Sequence, residues 1–479
     1  MRRTIQLFSL IFFTYLFFRA SYPLTSWIPV DFFLRADPLI ALCTTLSTRE
    51  VIVKALPAVI LLVLTVLFGR FFCGYLCPLG TLLDLFHKLL GTRKPRFAVR
   101  LRNLKFYLLI GLIAASITGA NVIYLFDPLI ILARTYTILF YPLSILFANL
   151  SLDWIRPVAD HLGWIELAYL YYFQPFFYMS LITGVIFLCI LALNLITPRF
   201  WCRYLCPLGA LLGFFSRFGI FKRVVNNSCT SCMKCKEMCP VGAIDDDPLK
   251  AKASECLQCR TCRLICPEEA ISFKAIYSPF REDVSTGISI TRRGFLYSLT
   301  GGLTSSFFLF NDPLKRGRRD NLIRPPGSIP EEEFLNTCIR CSECMKVCIG
   351  RVCPTQSIRD LNLEEKKHAR IGTAVILKEK CLVWEQDKVC LICDEQCPYN
   401  AIVFKMVEGF RRPFVIENKC NGCGFCEHKC PVEGDAAIVV KPLGEMRLKE
   451  GSYLEEAKRL ELTLKEDEGY DKFLFENEK

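Results

Sequence analysis

Apolar residues crowd the first 220 positions of the chain and thin out abruptly beyond them. Within the crowded part, runs at 5–18, 51–72, 104–126 and 176–196 approach the length of about 20 residues that a helix needs to cross a bilayer. They predict four transmembrane helices. A further apolar run at 129–150 is interrupted by Arg134 and Pro142 and predicts an interfacial or re-entrant helix in place of a fifth crossing. The remainder is polar, charged and rich in cysteine. The chain is therefore expected to join an α-helical membrane domain to small α+β domains.

The basic residues fix an expected orientation. Lys88, Arg93, Lys94, Arg96, Arg100, Arg102 and Lys105 lie between the second and third runs, Arg2 and Arg3 precede the first, and Arg199, Arg203, Arg217, Lys222 and Arg223 follow the fourth. All three groups predict cytoplasmic loops. The formal net charge of +12 thus reflects membrane orientation, and nucleic acid is not an expected partner.

Marking the runs exposes an internal repeat. Asp37-Pro38-Leu39-Ile40 precedes the second run, which ends in Cys73-Gly74-Tyr75-Leu76-Cys77-Pro78-Leu79-Gly80. Asp127-Pro128-Leu129-Ile130 precedes the fourth, which ends in Cys202-Arg203-Tyr204-Leu205-Cys206-Pro207-Leu208-Gly209. The membrane part reads as two duplicated hairpins of like orientation. A C-x-x-x-C pair on a helix would present both sulfurs on one face. If the hairpins pack side by side, Cys73, Cys77, Cys202 and Cys206 converge on a further metal centre at the inner membrane surface. Buried thiols that pack against the following proline, or a redox-active dithiol, are the alternatives. Asp37 and Asp127 are placed to accept protons from quinol at the outer surface, or else to cap the helices that their prolines begin.

Cysteine carries the chemistry. The 27 cysteines fall mostly in C-x-x-C-x-x-C-x-x-x-C runs, the spacing of iron–sulfur ligands and not of disulfides. Cys229, Cys232, Cys235 and Cys239-Pro240 are followed by Cys256, Cys259, Cys262 and Cys266-Pro267. This is the two-cluster ferredoxin pattern, in which the fourth cysteine of each run reaches across to the other cluster. Cys229, Cys232, Cys235 and Cys266 are thus assigned to one 4Fe-4S cluster, and Cys256, Cys259, Cys262 and Cys239 to the second. Zinc is the alternative, but consecutive four-cysteine runs each closed by proline are rare for it.

A second region begins at Cys338, Cys341, Cys344 and Cys348, where Ile349 stands in place of proline and Cys353-Pro354 follows; either Cys348 or Cys353 could be the fourth ligand. Cys381, Cys390, Cys393 and Cys397 come next, then Cys420, Cys423, Cys426 and Cys430. Twelve of these thirteen cysteines suffice for three clusters, about five in all. No C-x-x-C-H sequence, mid-span histidine, glycine-rich dinucleotide fingerprint or P-loop occurs, so neither haem nor NAD is expected. Electrons must then come from quinol or another protein. Thr291-Arg292-Arg293-Gly294-Phe295-Leu296 and the apolar stretch to Phe310 resemble a twin-arginine export signal, which carries domains folded around their cofactors, although the basic segment Lys315-Arg316-Gly317-Arg318-Arg319 beyond it opposes a simple outward crossing.

These residues resemble known families. The duplicated C-x-x-x-C-P hairpins and the two-cluster region of the first 275 residues resemble NapH-type membrane ferredoxins. The twin arginine, Arg324-Pro325-Pro326-Gly327, Glu331-Glu332-Glu333-Phe334 and Cys420-x-Gly422-Cys423-Gly424-x-Cys426 resemble NapG/MauM-type ferredoxins. The resemblance implies both components in one chain: a membrane domain at 1–222, a cytoplasmic two-cluster ferredoxin at 223–280, a linker with an export signal at 281–333, a periplasmic three-cluster domain at 334–445 and a charged tail at 446–479. Four cluster motifs are usual in the NapG type, against three here. The covalent-flavin segment of the related NosR type is not recognisable, so flavin is not implied. The implied function is electron transfer in a bacterial-type inner membrane, between quinol and a redox partner such as a periplasmic reductase or cytochrome, without independent substrate chemistry. A maturation factor similar to the CcoG type and a redox sensor are the competing readings.

Overall fold

The computed structural model describes residues 2–20, 28–90, 99–164, 167, 170–177, 179–244, 246–275, 290–310, 322–347 and 350–464. Arg93, Lys94, Arg96, Lys315, Arg316, Arg318, Arg319, Cys348, Ile349 and the end of the charged tail lie outside the described residues. The chain forms two compact units. One comprises Met1–Phe310, Leu335–Val347 and Val352–Gln356, and the other Asn311–Phe334, Cys348–Arg351 and Ser357–Lys479. Cys338, Cys341, Cys344 and Cys353 therefore belong with the helices and not with the cysteines at 381–430, dividing the domain expected at 334–445.

The first run lies inside a helix at Arg2–Arg19, and each of the other three contains a helix shorter than the run: Leu56–Phe68, Leu104–Ile117 and Ser180–Ile196. The second stops at Gly69, whose φ of 67° leaves the helical region, and the third run finishes in a separate turn at Ile123–Leu125. The longest apolar helix lies where a re-entrant segment was expected. Pro128–His161 runs for 34 residues and is, among the described residues, the one helix long and apolar enough to cross a membrane. Length and composition alone thus single out one candidate crossing where four were expected. The supposed interruptions are absorbed: a π turn at Tyr136–Phe140 precedes Pro142, relieving the proline's clash with the preceding turn, and Arg134 donates to the Tyr124 carbonyl at 2.8 Å.

The repeat is visible in three dimensions. Asp37 Oδ1 accepts from Leu39 N at 2.8 Å and Ile40 N at 3.3 Å, and Asp127 Oδ1 accepts from Leu129 N at 2.9 Å and Ile130 N at 3.0 Å. Each aspartate therefore caps the helix that its proline begins. Both are 0% exposed, so neither offers a carboxylate at an outer surface where quinol would dock. Their Oδ2 atoms have no hydrogen-bond partner, and the two carboxyl groups lie within electrostatic range of each other.

The other repeated segment also departs from the expected helix face. Cys73 and Cys202 sit in π turns at Phe72–Leu76 and Trp201–Leu205, while Cys77 and Cys206 are extended and lead into Pro78–Leu90 and Pro207–Ser216.

The Arg292–Phe310 helix runs parallel to Leu104–Ile117 and presses closely on it. A Cβ on Gly294 would meet the Tyr107 ring at 2.6 Å, and one on Gly302 would meet Gly111 O at 2.3 Å. Glycine is what permits that approach. Strands β1 (Phe221–Val225) and β2 (Ile271–Ala275) pair antiparallel and frame the first ferredoxin part. In the second unit β3 (Thr373–Ile376) pairs with β6 (Ile438–Lys441), and β4 (Ile402–Val407) with β5 (Phe410–Val415), all antiparallel.

Asp37→Ala or Asp127→Ala should cost roughly 0.5–2 kcal/mol through loss of the cap, read as a lower melting temperature of the purified protein. Asparagine keeps a capping oxygen and offers the facing carboxylate a donor, so Asp37→Asn should melt at or above wild type.

Candidate functional site

The cysteine runs fold alike because their backbones bend alike. In the C-x-x-C-x-x-C runs, the residues before and after the middle cysteine take left-handed φ: Ser231 and Met233, Gln258 and Arg260, Arg340 and Ser342, Gly422 and Gly424, between 52° and 82°. Successive reversals of this kind turn backbone N–H groups inward, forming an anion-binding nest. Six of these eight residues are not glycine, and each bears a strain of roughly 1 kcal/mol. The Cys338 run shares this geometry with the two runs of the first ferredoxin part. A one-turn helix carries each third cysteine at its second position: Lys234–Glu237, Thr261–Leu264, Glu343–Lys346 and Phe425–His428.

The two runs of the first ferredoxin part lie against each other. Cys239, Cys256, Cys259 and Cys262 line one cavity together with Val241, Ile244 and Leu257. Cys235 packs with Cys262 and Cys266 in the adjoining core, and Cys229 and Cys232 lie within electrostatic range of Cys235. The second unit repeats the arrangement. Cys381, Cys390, Cys393 and Cys430 line one small cavity, and Cys397, Cys420, Cys423 and Cys426 line another. Cys341 lies within electrostatic range of Cys344 and Cys353, which makes Cys353 the described partner of that run.

These cavities suit a cluster. Their walls are mostly apolar, with Arg223, Arg260 and Thr261 at the first and Asn421 at the last, and backbone donors point at the sulfurs: Ala243 N to Cys239 Sγ at 3.2 Å, Ala401 N to Cys397 Sγ at 3.3 Å and Ala437 N to Cys430 Sγ at 3.3 Å. Burial pushes the Cys256 and Cys426 thiols up to about 12 and Cys262 to about 11. Bound iron supplies the positive charge that would ionise them. Among the described residues no three Cys, His, Asp or Glu side chains converge closely enough to hold a single metal ion.

Two further features bear on electron movement through the first unit. Cys73, Cys77, Cys202 and Cys206 are all buried in one core and lie within electrostatic range of one another. Cys43 is buried in the same core, whereas Cys189 is exposed. The other feature is polarity. At the Cys73 end of the helices, Arg70 donates to Ser254 O at 2.9 Å, Tyr75 to Gln258 O at 3.1 Å and Lys105 to Glu255 Oε1 at 2.6 Å, which seats the Cys256 run there. At their opposite ends, Lys54 donates to Cys353 O at 3.4 Å, the Arg340 guanidinium lies 4.4 Å over the Tyr124 ring, and the Lys346 ammonium lies 4.2 Å over the Phe17 ring.

Residues 55–96 and 179–226 match a family model described as a 4Fe-4S binding domain, and residues 223–245 match a second model of the same description. The chain is 30% identical over 166 residues to the methylamine utilization ferredoxin-type protein MauM of Methylophilus methylotrophus, covering 26% of this chain and 73% of that protein. The chain belongs to the MauM ferredoxin-type family. MauM of Methylorubrum extorquens is 31% identical over 162 residues, 25% of this chain and 72% of its own length. The ferredoxin-type protein NapG of Escherichia coli is 29% identical over 166 residues, with coverages of 25% and 71%. An uncharacterized protein of Methanocaldococcus jannaschii is 31% identical over 184 residues; the match takes in 38% of this chain and 63% of that relative, less than two thirds of it. No solved structure matches. The protein is thus a 4Fe-4S ferredoxin-type protein of the iron–sulfur electron-transfer class.

Gly424 isolates the cost of the inward bend, because its φ is 82° and a Cβ there would meet nothing within 4 Å. Gly424→Ala should destabilise the protein by roughly 1 kcal/mol through backbone strain alone. Denaturation midpoints of the loaded protein measure this; an unchanged midpoint would mean that the bend is not enforced.

Proposed function

We propose that the protein is a multi-pass conduit in a bacterial-type inner membrane that relays single electrons between the quinone pool and a redox protein such as a periplasmic reductase or cytochrome. The observation that carries this reading is the seating of two cysteine sets at opposite ends of the same helices. The Cys256 run meets the ends at Arg70 and Lys105, and the Cys338 run meets the ends at Lys54, Tyr124 and Phe17. The Leu56–Phe68 and Leu104–Ile117 helices between them have 13 and 14 residues, about 20 Å at 1.5 Å per residue. Turns at both ends complete the distance across a hydrocarbon core of about 30 Å.

Membrane insertion is supported by apolar side chains on outward helix faces, among them Phe8, Ile11, Val63, Phe147, Leu181 and Leu188, each at least half exposed. Such continuous faces favour lipid over water. Export is supported by the Arg292–Phe310 helix, which runs parallel to Leu104–Ile117 and so leads from the Lys105 end, with its basic residues, toward the Cys338 end. The first ferredoxin part is then cytoplasmic and the C-terminal ferredoxin part periplasmic, as in a NapH-type component fused to a NapG-type one.

Five 4Fe-4S sites follow, with ligands Cys229/Cys232/Cys235/Cys266, Cys239/Cys256/Cys259/Cys262, Cys338/Cys341/Cys344/Cys353, Cys381/Cys390/Cys393/Cys430 and Cys397/Cys420/Cys423/Cys426. Cys73, Cys77, Cys202 and Cys206 hold a further centre, a reading supported by the match of residues 55–96 and 179–226 to a 4Fe-4S model. A 4Fe-4S cluster, when bound, accepts and returns one electron. The chain's own groups orient the thiols, exclude water and donate hydrogen bonds to sulfur.

Iron and sulfide analysis of the intact protein should return five cubanes plus the further centre. Cys353→Ala should remove one cubane and Cys348→Ala none. A yield near two cubanes, with zinc as the balance, would sink the assignment for the C-terminal half. Menaquinol or ubiquinol analogues added to protein in nanodiscs should reduce the clusters, followed by EPR. Clusters that stay oxidised, together with a partner's empty metal site in a deletion strain, would favour the maturation reading.

A further inference from the structure

The two hairpins repeat more than cysteines. Arg70 stands three residues before Cys73, and Arg199 three before Cys202. Both are buried, at 0% and 1% exposure, which is costly for a guanidinium unless negative charge lies beside it. Each has a carboxylate partner, but each partner is shared with a second cation. Glu255 pairs with Arg70 at 3.3 Å and with Lys105 at 2.5 Å; Asp84 pairs with Arg199 at 2.7 Å and with Arg2 at 2.6 Å. Each hairpin therefore keeps one positive charge in excess. Both excess charges lie within electrostatic range of the thiols: Arg70 of Cys73, Cys202 and Cys206, and Arg199 of Cys77 and Cys202.

The two guanidinium groups differ in what they have left to give. Arg199 donates to Asp84, to Cys73 O at 2.7 Å and to Gly80 O at 3.4 Å, so all its nitrogens are engaged. Arg70 uses only Nη1; its Nε and Nη2 are buried without a partner. Nη2 reaches the cysteine set, because a Cβ on Gly209 would lie 2.7 Å from Arg70 Nη2 and 3.3 Å from Cys206 Sγ. Two unused donors of a buried cation, next to four thiols, call for an anionic acceptor.

We propose that Arg70 and Arg199 balance the charge of a polynuclear iron–sulfur cluster on Cys73, Cys77, Cys202 and Cys206, and that the free donors of Arg70 bind its inorganic sulfide. The proposal rests on the reading of these cysteines as a metal centre and adds the residues that set its charge and potential. An iron–sulfur core of two positive charges held by four thiolates is a dianion, which the two excess cations neutralise. Neutral thiols or a disulfide would leave both cations buried and unbalanced. Reduction adds one negative charge beside Arg70, so Arg70 favours the reduced form and raises the midpoint potential. Arg199, whose donors are fully engaged with Asp84 and backbone carbonyls, acts as a positioning residue.

The test uses full-length protein in nanodiscs, titrated reductively and followed by EPR. Cys202→Ser identifies the signal and the iron that belong to this centre; if neither is lost, the metal-centre reading itself fails. Given that assignment, Arg70→Gln should move this one midpoint to lower potential, Arg70→Lys should move it less, and the other cluster signals should stay in place. An unmoved midpoint in a folded, fully loaded Arg70→Gln protein overturns the role of Arg70. Asp84→Asn removes a negative charge on the other side and should move the same midpoint upward. That variant keeps the idea falsifiable if Arg70→Gln fails to assemble; a midpoint unchanged or lowered in Asp84→Asn then overturns it.

Discussion

A sulfur ligand buried in an apolar interior must have positive charge or a hydrogen-bond donor at hand, because a lone thiolate is too costly there. That constraint organises this molecule from the single turn to the helix bundle. In the ferredoxin runs it is met by backbone: paired left-handed residues turn N–H groups toward the cysteines, and the strain is accepted even where the residue is Gln258, Arg260 or Arg340. Inside the helical hairpins Gly209 N donates to Cys206 Sγ at 3.2 Å, and the buried guanidinium groups of Arg70 and Arg199 add positive charge beside the thiols. Their salt bridges have a second consequence. Glu255 immediately precedes Cys256, so the ion pair with Arg70 and Lys105 also fastens the first ferredoxin part to the ends of the helices.

Much of the site was legible because cluster ligation is a local spacing problem. Crossed fourth ligands follow from C-x-x-C-x-x-C-x-x-x-C-P wherever two such runs are consecutive, and the cavities around Cys239, Cys397 and Cys430 have that arrangement. Convergence of Cys73, Cys77, Cys202 and Cys206 was legible from the repeat, but the local form was not. A helical face was the natural inference from i, i+4 spacing, whereas a π turn places the first cysteine and an extended residue the second. The arginines three residues earlier stand in both copies, but only Arg199 was read, as a loop charge, and Arg70 was passed over inside an apolar run. Their burial depends on carboxylates at Asp84 and Glu255, which no local pattern announces.

The helical part was less legible, for reasons of context. Pro142 and Arg134 looked like breaks in an apolar run, yet a π turn accommodates the proline and the Tyr124 carbonyl satisfies the arginine. Conversely, the second and third apolar runs overstated helix length, since Gly69 and the turn at Ile123–Leu125 end their helices early. The Asp-Pro motifs had two readings with identical residues. Burial and the distances from Asp37 and Asp127 to the amide groups that follow decide for capping.

The attachment of the Cys338 run to the helices could not be read from spacing at all, and it matters most for direction. It depends on scattered single contacts, such as Lys346 over Phe17 and Arg340 over Tyr124, between residues more than 200 positions apart. One apolar core includes Leu257, the four hairpin cysteines, Leu129 and Ile130 behind the Asp127 cap, and then Ile339 and Cys341. Candidate sulfur ligands thus recur along that core, from the Cys256 run through the hairpins to Cys341, and the buried Arg70, Lys105, Arg199, Asp37 and Asp127 beside them are paired or cap helices.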